Sequence, residues 1–182
     1  MTNEYPAELA PILEAIADRA ARLCESQDAR IFLLDGDRFR YVAGFGKVPF
    51  QFDDPIRPLT RDLVIGRAVI DRAPVHVEDL AAAGKEFPGG LEYQQRFGHR
   101  TTLAVPLLRG DRALGVILLR RSEVQPFDAR HIELVKAFAD QAAVAIENLR
   151  LSTELKTRNA ELTEALEQQT ATAEILKVIS SS

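Results

Sequence analysis

Thiol and imidazole groups, the side chains best suited to covalent and metal chemistry near neutral pH, are few in this 182-residue chain: one cysteine, Cys24, and three histidines, His76, His99 and His131. A lone cysteine forms no internal disulfide, and a reactive thiol needs a group nearby that favours the thiolate. Cys24 stands in a segment of helical periodicity, where the expected role is that of a small buried apolar residue. Imidazole is a common metal ligand, yet no second His, Cys or Met stands at recognisable ligand spacing, so no metal site is expected. His76 and His99 flank an irregular segment, and His131 falls on the first turns of a helix, on an expected solvated face. No glycine-rich loop follows a strand, and "FPGG" at 87–90 reads as a turn rather than a phosphate cradle opening a helix. No Ser/His/Asp set has local support. The chain therefore reads as a non-enzyme, and no cofactor can be named.

The elements that would position these groups follow from periodicity. Leu9, Ile12, Leu13, Ile16, Ala20 and Leu23 recur at spacings of three and four, which predicts an amphipathic helix over 7–25. Two β-rich runs follow, 31–34 and 39–43, separated by Asp35-Gly36, a hairpin signal. Pro49, Pro55 and Pro58 predict a loop over 46–59. "TRDLVIGRAVIDRA" predicts a helix with Thr60 as its cap, and "VHVED" a short strand. The stretch 81–99 reads as irregular, with a helical turn around 92–97. "TTLAVPLL" and "RALGVILLRR" form a second hairpin through Arg109-Gly110-Asp111. Asp128 is the expected N-cap of a last helix from about 129 to about 179. Hairpin strands imply an antiparallel sheet with helices packed on it, an α+β fold.

Bulk composition excludes some roles. The net charge of −4 argues against a dedicated nucleic-acid binder. No apolar run approaches the roughly 20 residues of a membrane span. The opening MTNEYPAELAP has neither a basic nor an apolar signal region, and the single cysteine fits a reducing cytoplasm.

Several fragments together resemble the GAF family. These are Val105-Pro106-Leu107, a charged turn, Gly115-Val116-Ile117, Phe127, and Ala139, Gln141, Ala143, Ala145, Ile146 and Asn148 on the last helix. "VIGRAVIDRAPVHVEDL" is similar to the family's middle helix and following strand. A PAS domain is the alternative fold, and the long leading helix favours GAF. The resemblance covers about 7–151, which makes 7–151 a GAF-like sensory domain and 152–182 a linker helix. It implies a small-molecule or light-sensing module of a bacterial multi-domain signalling protein.

The same resemblance implies where a ligand would sit: between the sheet and the irregular segment 79–99, with Phe45, Asp79, Tyr93, His99 and Thr101 as its expected wall. The residues that match the acidic positions of cyclic-nucleotide-binding members are His131 and Ile132, and no Asn-Lys pair occurs. Bilin-binding members attach their chromophore through a cysteine beside the pocket, whereas Cys24 precedes every strand. Gas-sensing members imply His76 or His99 as a haem ligand, but without a second ligand at recognisable spacing. The ligand stays unknown.

The tail carries a heptad pattern. Ser152, Asn159, Leu166 and Ala173 share one position; Leu155, Leu162, Gln169 and Leu176 share the position three residues on. Leu155, Leu162, Leu166 and Leu176 predict a coiled-coil seam, and Asn159 within it a register-fixing polar residue. A helix of some fifty residues is about 75 Å long, a connector's dimension. The expected partners are a second copy of the chain and a C-terminal kinase, cyclase or further sensory domain. The alternative roles are a helix folded back on its own domain and a ligand-free dimerisation spacer.

Overall fold

The computed structural model describes residues 7–46 and 56–181. Chain contacts divide it into two compact units, Met1–Ile146 and Glu147–Ser182. In the first, helix α1 (Leu9–Leu23) leads into strands β1 (Asp28–Asp35), β2 (Arg38–Gly46) and β3 (Ile56–Pro58). Helix α2 (Val64–Asp71), strand β4 (Val75–Val77) and helix α3 (Pro88–Phe97) follow, then β5 (Thr101–Arg109) and β6 (Arg112–Arg121). Helix α4 (Ala129–Ser180) begins in the first unit and continues through the second.

The six strands form one antiparallel sheet in the order β3-β2-β1-β6-β5-β4. Both hairpins have two-residue connections, with Asp35 opposite Arg38 and Arg109 opposite Arg112. Gly36 and Gly110 take the positive φ that such turns need, +61° and +58°.

Side chains alternate across the sheet. Phe32, Phe39, Ala104, Val116 and Leu118 join α2 residues Val64, Ile65, Ala68 and Val69 in one core, which Leu80 and Phe87 complete. We call this the cavity face. The other face takes α1, whose Leu9, Leu13, Ile16, Ala17 and Ala20 are buried. Arg121, 1% exposed, closes that face by donating to the carbonyls of Cys24, Gln125 and Pro126 and stacking 4.0 Å over the Phe127 ring. Asp128 caps α4 as expected: the His131 N–H donates to its Oδ1 at 2.7 Å.

Three local expectations are corrected. Ile56–Pro58 is a strand rather than loop; it pairs with β2 at the sheet edge, where a proline's missing N–H is tolerated. The predicted loop's residues 47–55 lie outside the described residues. Thr60 does not cap α2. Its hydroxyl accepts the Asp62 N–H, and the helix begins at Val64 after Leu63. "FPGG" opens a helix after all, because α3 starts at Pro88, with proline pre-set for a first turn. Its glycines serve packing: a Cβ at Gly90 would press on Leu80 and Phe87, and one at Gly89 on Leu63.

In the second unit, the side-chain contacts of α4 are local. Thr153, Thr157, Thr163 and Thr172 each donate to the carbonyl four residues back. Arg150 pairs with Glu147 and Glu154, and Arg158 with Glu154. No helix among the described residues is long and apolar enough to cross a membrane.

Candidate functional site

The cavity face borders a half-open space of about 30 Å³ beneath α2, α3 and residues 80–99. Its polar lining comes from four elements: Arg57 on β3, Tyr93 on α3, His99 before β5, Thr102 on β5 and Arg120 on β6. Leu63, Val64, Ile65, Leu80 and Leu118 supply the apolar part.

The charges behind this wall are ordered. Asp28 on β1 is fully buried and receives Arg120 through Nε at 2.8 Å. Its other oxygen pairs with Arg30 at 2.8 Å, and Arg30 also donates to the Tyr41 hydroxyl at 3.3 Å. Asp28 opposes Arg120 directly across β1 and β6, so sheet register brings this pair together. Burial pulls the Arg120 guanidinium down from its ordinary range, and Asp28 opposes that shift. Arg57 lies 4.1 Å over the Tyr93 ring and 5.1 Å over Phe32.

His99 is 3% exposed. Burial, followed by the nearby charges of Arg120 and Arg57, pushes its pKa down to about 3, so it is neutral at physiological pH. Its Nδ1 and the Oγ1 of Thr102 are buried with no hydrogen-bond partner among the described residues.

Of the five residues expected at the wall, two meet here, Tyr93 and His99. The other three stand elsewhere. Thr101 is on the opposite face, its hydroxyl donating to the Glu78 carbonyl at 2.6 Å and accepting from the Gln125 N–H. Phe45 lies under the Arg22 guanidinium of α1, 5.0 Å from ring centroid to Cζ. A β-bulge causes this: the pairing shifts between Ile31 and Phe32, so Tyr41 opposes Phe32 and Ala43 opposes Ile31. The extra residue sends Phe45 to the α1 face. Asp79 forms a bidentate pair with Arg100, at 2.7 and 2.6 Å, in an outer groove beside β4. That pair holds the Asp79 carboxyl below its usual range.

Arg57, Thr102 and Arg120 were missed by sequence reasoning. One signal was available: Arg120 follows directly on the apolar run of β6, and Asp28 and Arg30 stand at the start of the apolar run of β1.

The remaining reactive groups are engaged. His76 Nε2 accepts the Phe127 N–H at 3.1 Å, and burial lowers its pKa. His131 packs its ring against Phe127, half-buried rather than on the solvated face expected for it. Cys24 sits at the end of α1 with its thiol toward the His131 carbonyl, and burial pushes its pKa up to about 11. No group of three metal-ligating side chains occurs among the described residues.

An antiparallel sheet with a small polar-lined cavity on one face and α1 on the other defines an α+β domain. The sequence model of the GAF domain matches residues 7–147, and the chain belongs to that family. GAF domains are typically sensory or regulatory modules of signalling proteins.

Solved structures agree in fold. The GAF-B domain of DevS from Mycobacterium smegmatis is 26% identical, with TM-score 0.63, covering 81% of this chain and 98% of that one. A methyl-accepting chemotaxis protein fragment, residues 122 to 287, is 22% identical, with TM-score 0.67 and coverages of 79% and 91%. A type II free methionine-R-sulfoxide reductase from Thermoplasma acidophilum is 15% identical, with TM-score 0.63 and coverages of 78% and 94%. The fold thus also occurs in an enzyme.

Proposed function

We propose that this chain is a non-catalytic regulatory module: it binds a small molecule in the cavity, dimerises, and signals through its terminal helices to an output domain. Residues 7–151 form the sensory part and 152–182 the linker helix of a cytoplasmic signalling protein. The output is a histidine kinase core, a cyclase or a further sensory domain. The observation that carries this reading is the pair of unpartnered buried polar atoms, His99 Nδ1 and Thr102 Oγ1, on one cavity wall. Buried polar groups are costly unless hydrogen-bonded, so two on one wall mark a place where a bound molecule supplies the partners.

The linker reading rests on exposure. Leu155, Leu162, Leu166 and Leu176 are each 60–63% exposed in the single chain. Uncovered apolar stripes of this kind mark association surfaces, and a parallel second copy covers this one. Asn159 in the seam fixes register at a cost in stability.

Native mass spectrometry of the protein purified from cells tests both parts. A dimer carrying a retained small molecule is expected; a ligand-free monomer overturns the proposal. A ligand-free dimer favours the second reading, a dimerisation spacer, which the cavity's volume of about 30 Å³ supports.

A further inference from the structure

The cavity's donor chemistry restricts its occupant further, and this step rests on the cavity being the sensory site. We propose that it selects a small oxoanion group, either a free inorganic oxoanion or the carboxylate of a short organic acid. Arg57, Arg120, Thr102 and His99 would hold that group.

The described charges around the cavity point the same way. Among the described residues, the guanidiniums of Arg57, Arg120 and Arg30 gather around this face with one carboxylate, Asp28. That carboxylate is shared between Arg30 and Arg120. A positive potential repels a cationic occupant and attracts an anionic one. Burial first, and then the charges of Arg120 and Arg57, keep His99 neutral.

The contacting atoms agree with the field. Arg57 lines the cavity and can take part beside its other contacts, because a guanidinium has five donors. Thr102 Oγ1 can donate as it stands, and His99 Nδ1 donates in one neutral tautomer. The wall is thus rich in donors, and its complement is rich in acceptors. A guanidinium fork matches the two-oxygen edge of a planar anion. Size limits the group that enters: about 30 Å³ is room for one or a few water-sized units, the scale of an oxoanion group rather than of a nucleobase or a tetrapyrrole.

Isothermal titration calorimetry on the full chain tests this at fixed ionic strength. The probes are sodium formate, sodium acetate and sodium nitrate, with sodium chloride as reference and methylammonium chloride as a cation of similar size. Saturable binding of at least one oxoanion and none of methylammonium is expected. Formate or acetate without nitrate identifies a carboxylate source, and nitrate an inorganic one. Thr102→Val should weaken binding about tenfold, the worth of one hydrogen bond to a charged group. Its melting temperature without ligand should not fall, because the lost hydroxyl has no partner. Arg57→Gln should weaken binding further.

Equal affinity in wild type and both variants would overturn the proposal, as would binding of methylammonium or binding of no oxoanion at all. The sensory reading is judged separately. An uncharged molecule retained by wild type and lost in Thr102→Val rejects the anion class and keeps the sensory cavity. No retained molecule together with no saturable probe rejects both.

Discussion

A histidine that is 3% exposed and beside two guanidiniums couples the stability of this domain to pH. The unfolded chain takes up a proton at His99 near the ordinary value of 6.5, and the folded chain only near 3. Below 6.5 the unfolded state therefore binds more protons, and stability falls as pH drops toward 3. His76, also lowered by burial, acts in the same direction. The carboxyls of Asp71, Asp79 and Asp128 are held below 3.8, so their protonation destabilises the fold only at still lower pH. The interval from pH 6.5 to about 4 thus belongs to the two histidines. Urea midpoints measured across it should fall steadily in wild type and more shallowly in His99→Asn. Equal slopes in the two proteins would show that His99 titrates normally in the fold.

At the scale of elements, close backbone approach overrides propensity. Replacing a helix-interior glycine with alanine ordinarily gains about 1 kcal/mol. In α2 the opposite is expected at Gly66, because a Cβ there would lie far inside van der Waals contact with the Thr60 carbonyl. Neither partner is a flexible side-chain end, so the helix must lift from the residues that lead into it. Gly66→Ala should therefore cost roughly 2 kcal/mol net, within the range for overpacking. A thermal melt decides it: an unchanged or raised midpoint would mean that α2 shifts freely. The same helix supplies Val64 and Ile65 to the cavity wall, so its displacement should also disturb ligand binding.

For the whole molecule, the expected assembly is a homodimer held by the first and last helices. Apolar residues stand exposed on both: Ile12 and Leu23 lie on or beside α1, and Val144 and Leu151 on α4. Sedimentation at micromolar concentration should give twice the chain mass, and a clean monomer would exclude this assembly. Leu162→Asp with Leu166→Asp should weaken the dimer while the sheet's circular dichroism persists. Charges buried in a seam cost roughly several kcal/mol, and both leucines are 62% exposed in the single chain. Loss of the sheet signal would show instead that the domain's stability depends on the tail. Asn159→Leu removes a polar group from the seam and should favour one fixed register. In a full-length sensor, output should then hold at one level whatever the input, with ligand affinity of the domain nearly unchanged. A full-range response would mean that the signal bypasses the seam.

Features that depend on local period and chain-neighbour chemistry were legible in the residues alone. Apolar spacing marked α1 and the long α4, and Gly36 and Gly110 placed the two hairpins. Asp128 marked the start of α4, and the combined fragments pointed to the family. Tertiary structure decided which face each strand residue occupies. Thr101 and Thr102 are one residue apart and end on opposite sides, because side chains alternate with period two. Phe45 changed sides because of a bulge that no local signal announced. Asp28 and Arg120 are 92 positions apart, and only the β1–β6 register makes them a pair. Arg57 reached the cavity through an edge strand that its flanking prolines concealed. A site of this kind is assembled from long-range pairing, and the free energy that selects the pairing is spread over the whole sheet and its two packed faces.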